Sequence, residues 1–293
     1  MDRRHFLKLL GLSPLLSNLL LRKALAAETP VVAIAEDRDF SRATLKALNA
    51  LGGMRRFVKP GNVVVVKPNI GWDRRPEQAA NTHPLVVRTV VAEALRAGAS
   101  KVKVFDRTCN DPRRCYVNSG IEAALRGMKG VDLKYIEEER FRPVRLNGRT
   151  LRQWDLYDEA LSADVFINVP VAKHHGLTGL TLGLKNIMGV MGGNRGSIHR
   201  HIDSALADIN AVLKSRLTVV DATRILTAHG PQGGDSHDVK VLNKVLASGD
   251  IVAADAVATT LFGLRPEQIS TTVAAYRRGL GEMKVDKMRI VRV

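Results

Sequence analysis

Residues 63–69 read VVVVKPN, four valines running into a lysine, a proline and an asparagine. An unbroken β-branched run of this length fits a strand covered on both faces, as strands are in a parallel sheet. Working outward, short apolar runs recur at 31–35, 102–105, 165–169 and 217–220. Helical patterns separate them or follow them, at 41–51, 84–97, 121–125, 201–213, 251–261 and 266–278, and a last strand is expected at 288–293. Thr82 is placed to cap the second helix and Gly98 to stop it. This alternation predicts an α/β fold: a mostly parallel sheet with helices on both faces. Asn147-Gly148 adds a hairpin signal. A smaller lobe is expected around residues 176–215. No repeat or low-complexity linker divides the chain, so residues 27–293 are expected to form one domain.

The first 26 residues read differently. Arg3-Arg4 precedes an apolar stretch from Leu9 to Leu21 that is diluted by Gly11, Ser13, Pro14, Ser17 and Asn18 and closed by Ala24-Leu25-Ala26. That is the pattern of a twin-arginine export signal with a small-residue cleavage site. An uncleaved anchor is the competing reading, although the apolar run falls short of the roughly 20 residues that a span needs. The expected place is the periplasm or another location reached by twin-arginine export, and the expected first partner is the twin-arginine translocase. That route carries folded passengers, which favours a divalent metal or a cofactor inserted in the cytoplasm.

The net charge is +16, about a quarter of it in the signal, with 45% hydrophobic and only 4% aromatic residues. Basic pairs such as Arg55-Arg56, Arg113-Arg114 and Arg277-Arg278 are scattered and lack the interleaved aromatics on which bases stack. Nucleic acid is therefore not an expected partner. A small anionic ligand fits the charge, as does peripheral association with an acidic membrane surface or a redox partner. The two cysteines, Cys109 and Cys115, cannot supply the four thiolates of an iron–sulfur cluster. They are candidates for a disulfide closing a short loop, with free or metal-binding thiols as the alternatives.

In an open α/β sheet, ligands collect beyond the carboxyl ends of the strands. Lys67 and Asn69, Asp106, Lys173 and His174, and Asp221 all follow expected strands. Each alone could cap a turn or leave the sheet for water, and their coincidence is the stronger signal. Residues 173–189, KHHGLTGLTLGLKNIMG, combine four glycines with Thr178, Thr181, Lys185 and Asn186. Glycines at 176, 179 and 183 permit close backbone approach, and the hydroxyls and amides could hold an anion at a helix starting near Thr181. Tight packing of a glycine-spaced helix, with Lys185 reaching solvent, is the plain alternative. Neither the phosphate loop nor the dinucleotide fingerprint is present. Six of the eight histidines lie between 174 and 237. His174, His175, His199 and His201 are the metal-ligand candidates, His199 foremost, against a reading as exposed loop histidines.

The segments VVVVKPNIG, THPLVVRTVV, FINVPVAKHHGLTGLTLGLKNIMGVMG, SIHRH, VVDA and ASGDIVAADAVA together resemble domain-of-unknown-function family 362 over about residues 31–262. Many members carry ferredoxin cysteines, and this chain resembles an exported subgroup without them. The order and spacing of Lys185 and His199 are also similar to the nickel-dependent lactate racemase family, in which a lysine holds a cofactor and a downstream histidine ligates nickel.

The expected site thus gathers Lys67, Asn69, Thr178, Thr181, Asn186 and Asp221 as ligand-binding residues, with Lys185, Lys173 and His199 as catalytic candidates. Repulsion among the lysines should lower at least one amine's pKa. Metal-assisted redox or proton-transfer chemistry is one reading. A non-catalytic carrier and a structural scaffold are the others.

Overall fold

The computed structural model describes residues 29–293, and the signal expected over residues 1–26 lies outside them. Among the described residues no helix is long and apolar enough to cross a membrane.

In chain order the strands are β1 (Val31–Glu36), β2 (Val63–Pro68), β3 (Lys101–Val104), β4 (Val131–Leu133), β5 (Phe141–Arg145), β6 (Gln153–Tyr157), β7 (Val165–Val169), β8 (Val171–His175), β9 (Gly179–Thr181), β10 (Leu217–Leu226), β11 (Val239–Ser248) and β12 (Arg289–Arg292). Ten of them build one sheet in the order β12-β1-β11-β10-β7-β2-β3-β4, with β8 beside β10 and β9 on β8. The valine run becomes β2, parallel to both β3 and β7. The sheet is mostly parallel, but β11 runs antiparallel between β1 and β10. The sequence reading missed β11 because Lys240, Asn243 and Lys244 interrupt its apolar residues, and its first half is only partly covered.

The strand valines alternate between two cores, as a period of two requires. Val64 and Val66 pack with α1 (Phe40–Ala50) and α2 (Pro84–Arg96) on one face. Val65 and Phe166 face the other side, under the segment Ile187–Met191 and α7 (Ile202–Val212). Farther along that sheet, Val220 and Leu246 pack against α8 (Ile251–Thr259). Between these helices lie α3 (Pro112–Asn118), α4 (Ile121–Leu125), α5 (Asp158–Leu161) and α6 (Gly183–Asn186), and α9 (Ser270–Arg277) follows.

Several boundaries moved for identifiable reasons. The cap of α2 is His83, whose Nδ1 accepts from the Leu85 amide. Thr82 instead ties β2 to β7, its hydroxyl donating to the Val169 carbonyl and accepting from the Asn69 amide. The hairpin signal does lead into the antiparallel pair β5–β6. Its connection is longer than two residues because Asp208, buried on α7, accepts from the amides of Arg149, Thr150 and Leu151 and fixes the loop.

Candidate functional site

The carboxyl ends of β2, β3, β7 and β8 open on a cleft of about 290 Å³. Lys67, Asn69, Asp106, Lys173, Thr181, Lys185, Asn186 and His199 line it, together with Arg195, Cys109, His175 and Trp72.

A chain of amides and amines crosses its floor. Lys67 is 1% exposed; its Nζ sits 2.8 Å from Asp106 Oδ1 and donates to Asn186 Oδ1 at 2.9 Å. Asn69 Nδ2 donates to the same Asn186 oxygen at 3.0 Å, and Asn69 Oδ1 accepts from Lys173 Nζ at 3.2 Å. Asn186 Nδ2 donates to Asn168 Oδ1 at 2.8 Å, and Asn168 in turn donates to the Gly183 carbonyl. Both side-chain polar atoms of Asn186 are thereby used, which fixes its orientation against Lys67 and Asn69. The other oxygen of Asp106 accepts from the Ile70 amide at 2.6 Å.

The glycine-rich segment is held from below. β8 and β9 form an antiparallel pair, and α6 begins at Gly183, two residues later than expected, because Thr181 ends β9. Asp255, on the apolar helix α8, accepts from the amides of Gly183 and Leu184 at 2.7 and 2.9 Å. Glycine is required at 183, since a Cβ there would press on Asp255 Oδ1 and Thr218 Cγ2. Burial raises the Asp255 carboxyl to about 7 even though both amides favour its charged form.

Cations outnumber carboxylates in the cleft. Asp106 is already paired with Lys67, while Lys173 and Lys185 make no ion pair among the described residues. Arg195 donates to the carbonyls of Arg107, Met188 and Thr108 and, at 3.4 Å, to Cys109 Sγ. Desolvation lowers Lys173 to about 7, with repulsion from Lys185 and Lys67 adding to it. Lys185 falls to about 8, again chiefly by desolvation, with Arg195 and Lys67 pushing the same way. Lys67 is lowered by burial in spite of Asp106. His175 falls to about 3 through burial and the neighbouring cations, so its imidazole is neutral across the physiological range.

Other candidates lie outside the cleft wall. Thr178 closes the β8–β9 turn, donating its hydroxyl to the Leu180 carbonyl and its amide to His175 Nδ1. Asp221 lies inside β10, not beyond it, and is absorbed by the His83 amide and by the amide and hydroxyl of Thr223. His174 Nδ1 accepts from the Gly230 amide. His201 is exposed at the start of α7. Only His175 and His199 of the four metal-ligand candidates share the cleft, with rings stacked at 6.4 Å. Among the described residues no three His, Cys, Asp or Glu side chains are grouped to hold a metal ion. Two imidazoles fall short of the three or four protein ligands of a zinc-type centre.

Of the readings open for the two cysteines, the candidate disulfide is not formed and both thiols are free. Cys115 points from α3 into the core, while Cys109 is exposed at the cleft, so the two face different environments. Sequence reasoning left out Asn168, Asp255, Arg195 and Gly189. The first two carried a signal, a polar residue inside the otherwise apolar runs VFINV and IVAADAVA.

The structure of the lactate racemase apoprotein from Thermoanaerobacterium thermosaccharolyticum is similar at a TM-score of 0.48 and 11% identity, covering 78% of this chain and 56% of that one. The thylakoid-associated protein sll1697 of Synechocystis is 30% identical over 243 residues, which is 80% of this chain and 73% of the relative. The model of the family described as Domain of unknown function (DUF362) matches residues 64–260, which hold the lysines, the asparagines and Asp255 alike. The chain belongs to the DUF362 family.

Proposed function

We propose that the cleft captures a small anion bearing a carboxylate or phosphate group and moves a proton to or from it through the amines of Lys173 and Lys185. One observation carries this reading: three lysines and Arg195 converge on a cleft whose carboxylate, Asp106, is already paired. Burial of Lys67 and Lys173 makes each such charge act more strongly than it would in bulk solvent. Amines near 7 and 8 exist in both protonation states at neutral pH, as a proton-transferring group requires. Neutral His175 and the buried Thr181 hydroxyl add uncharged partners for orienting a ligand. A carrier would use the same charges, but capture alone does not call for amines poised at neutrality.

Calorimetric titration with phosphate and with malonate tests the reading through its pH dependence. Both amines are charged below about 7 and lose charge as pH rises through 7 and 8. Affinity should therefore be greatest near pH 6 and fall at least about tenfold by pH 9, a loss of about 1.4 kcal/mol. Undetectable binding, or binding that strengthens with pH, would sink the proposal. The proton-transfer part predicts solvent deuterium uptake at the α-carbon of bound malonate beyond the rate in buffer, read by NMR.

Export belongs to the same proposal and rests on Arg3-Arg4, the diluted apolar stretch and Ala24-Leu25-Ala26. Replacing Arg3 and Arg4 by lysine should retain the precursor in the cytoplasm on cell fractionation. Unchanged periplasmic recovery would count against it.

A further inference from the structure

We propose, building on the anion-cleft reading, that Cys109 is the covalent nucleophile of the cleft, a thiol that attacks an electrophilic carbon of the bound anion. Cys109 is exposed and lines the same cavity as Lys173, Lys185 and Arg195. Its backbone is fixed, the amide donating to the Gly71 carbonyl at 2.8 Å. Its sulfur lies 3.4 Å from Arg195 Nη2, a charged donor suited to a thiolate. A separate observation points to a ligand in front of it. Thr181 is 4% exposed, lines the cleft, and its hydroxyl has no hydrogen-bond partner among the described residues. A buried hydroxyl without a partner is costly, and a ligand oxygen in the cleft would satisfy it. Cys115, six positions on, has none of these features: it is buried in the core, and burial pushes its thiol up to about 11.

The substrate class is an anion with a displaceable or additive carbon centre near its acidic group. Iodoacetate is the simplest such probe. The Cys109 thiolate forms a carbon–sulfur bond to the methylene, the carbon–iodine bond breaks, iodide leaves, and the thiol proton passes to solvent. Iodoacetamide undergoes the same reaction without the carboxylate, and an ordinary thiol reacts with this neutral reagent faster.

The experiment compares the alkylation rates of the full chain by the two reagents at pH 7, with peptide mass mapping to separate Cys109 from Cys115. Cationic clefts concentrate anions by about 10-fold or more, so iodoacetate should label Cys109 about tenfold faster than iodoacetamide. Phosphate should suppress the labelling, and Lys185→Gln should erase most of the preference. Cys109→Ser, which keeps the fold's polar contacts at this exposed position, should remove the label. Equal rates, or a faster iodoacetamide reaction, would overturn the assignment. If calorimetry still finds phosphate binding in that case, the nucleophile falls and the anion cleft stands. If neither phosphate binding nor the preference appears, both fall.

Discussion

Gly189→Ala is expected to destabilise the protein by about 3–5 kcal/mol, the range found when a buried ion pair is broken. The glycine backbone lies directly against the Lys67–Asp106 pair: a Cβ at 189 would coincide with Asp106 Oδ1 and crowd Lys67 Cε and Nζ. Neither side chain can retreat. Asp106 is held by the Ile70 amide and Lys67 by Asn186, both in the buried floor. Forcing them apart leaves a buried ammonium and a buried carboxylate without their counter-ions, which the single neutral hydrogen bond left to each does not replace. Urea unfolding followed by circular dichroism measures the loss. Gly249→Ala is the control, since its Cβ would meet Phe57 and the Arg216 carbonyl at 3.6 and 3.8 Å, ordinary contact distances. A Gly189→Ala variant within about 1 kcal/mol of the parent, as a surface substitution would be, would refute the packing argument.

Lys185→Met should weaken anion binding by roughly 2–4 kcal/mol, the scale for truncating one partner of a desolvated charge contact. It should do so without loss of stability. The sign follows from the amine's shift. Because its pKa falls from 10.5 to about 8 on folding, the stability it contributes is present above 10.5 and is lost as pH falls through 8. Methionine carries no such penalty and keeps the contact with Met188, so the variant should be as stable as the parent at pH 6, or more stable. Calorimetry and thermal unfolding on the same sample separate the two effects. A variant that loses stability while binding phosphate normally would assign Lys185 a scaffolding role.

The sequence made the sheet and half the site legible because those parts rest on local patterns. Four valines need no context to read as a covered strand, and Lys67, Asn69, Lys173, Lys185 and Asn186 stand at strand ends or on the glycine-rich segment that reaches the rim. The remainder depends on partners far along the chain. Asp221 looked available because its strand was expected to stop at residue 220, whereas β10 continues to Leu226 and neighbouring amides consume the carboxylate. Thr178 likewise serves the turn in which it sits, and His174, inside β8, is taken up by the Gly230 amide 56 positions on. Asp255 was passed over as one acid in an otherwise apolar helix, although it anchors two amides of α6. Cys109 was weighed only against Cys115, for lack of any pattern that placed it opposite Arg195.

The order of the sheet also makes the early and late parts of the described chain depend on each other. β1 is the first of the described strands to leave the ribosome, yet it joins β10 only through β11, and the Val31 carbonyl accepts from the Ser248 hydroxyl across 217 positions. Lys67 and Asn186 are likewise 119 positions apart. Closing loops of that size is slow and entropically costly. A nascent chain stalled before residue 239 therefore has neither of the described strands that β1 pairs with, β11 and β12, and β1 must wait for them.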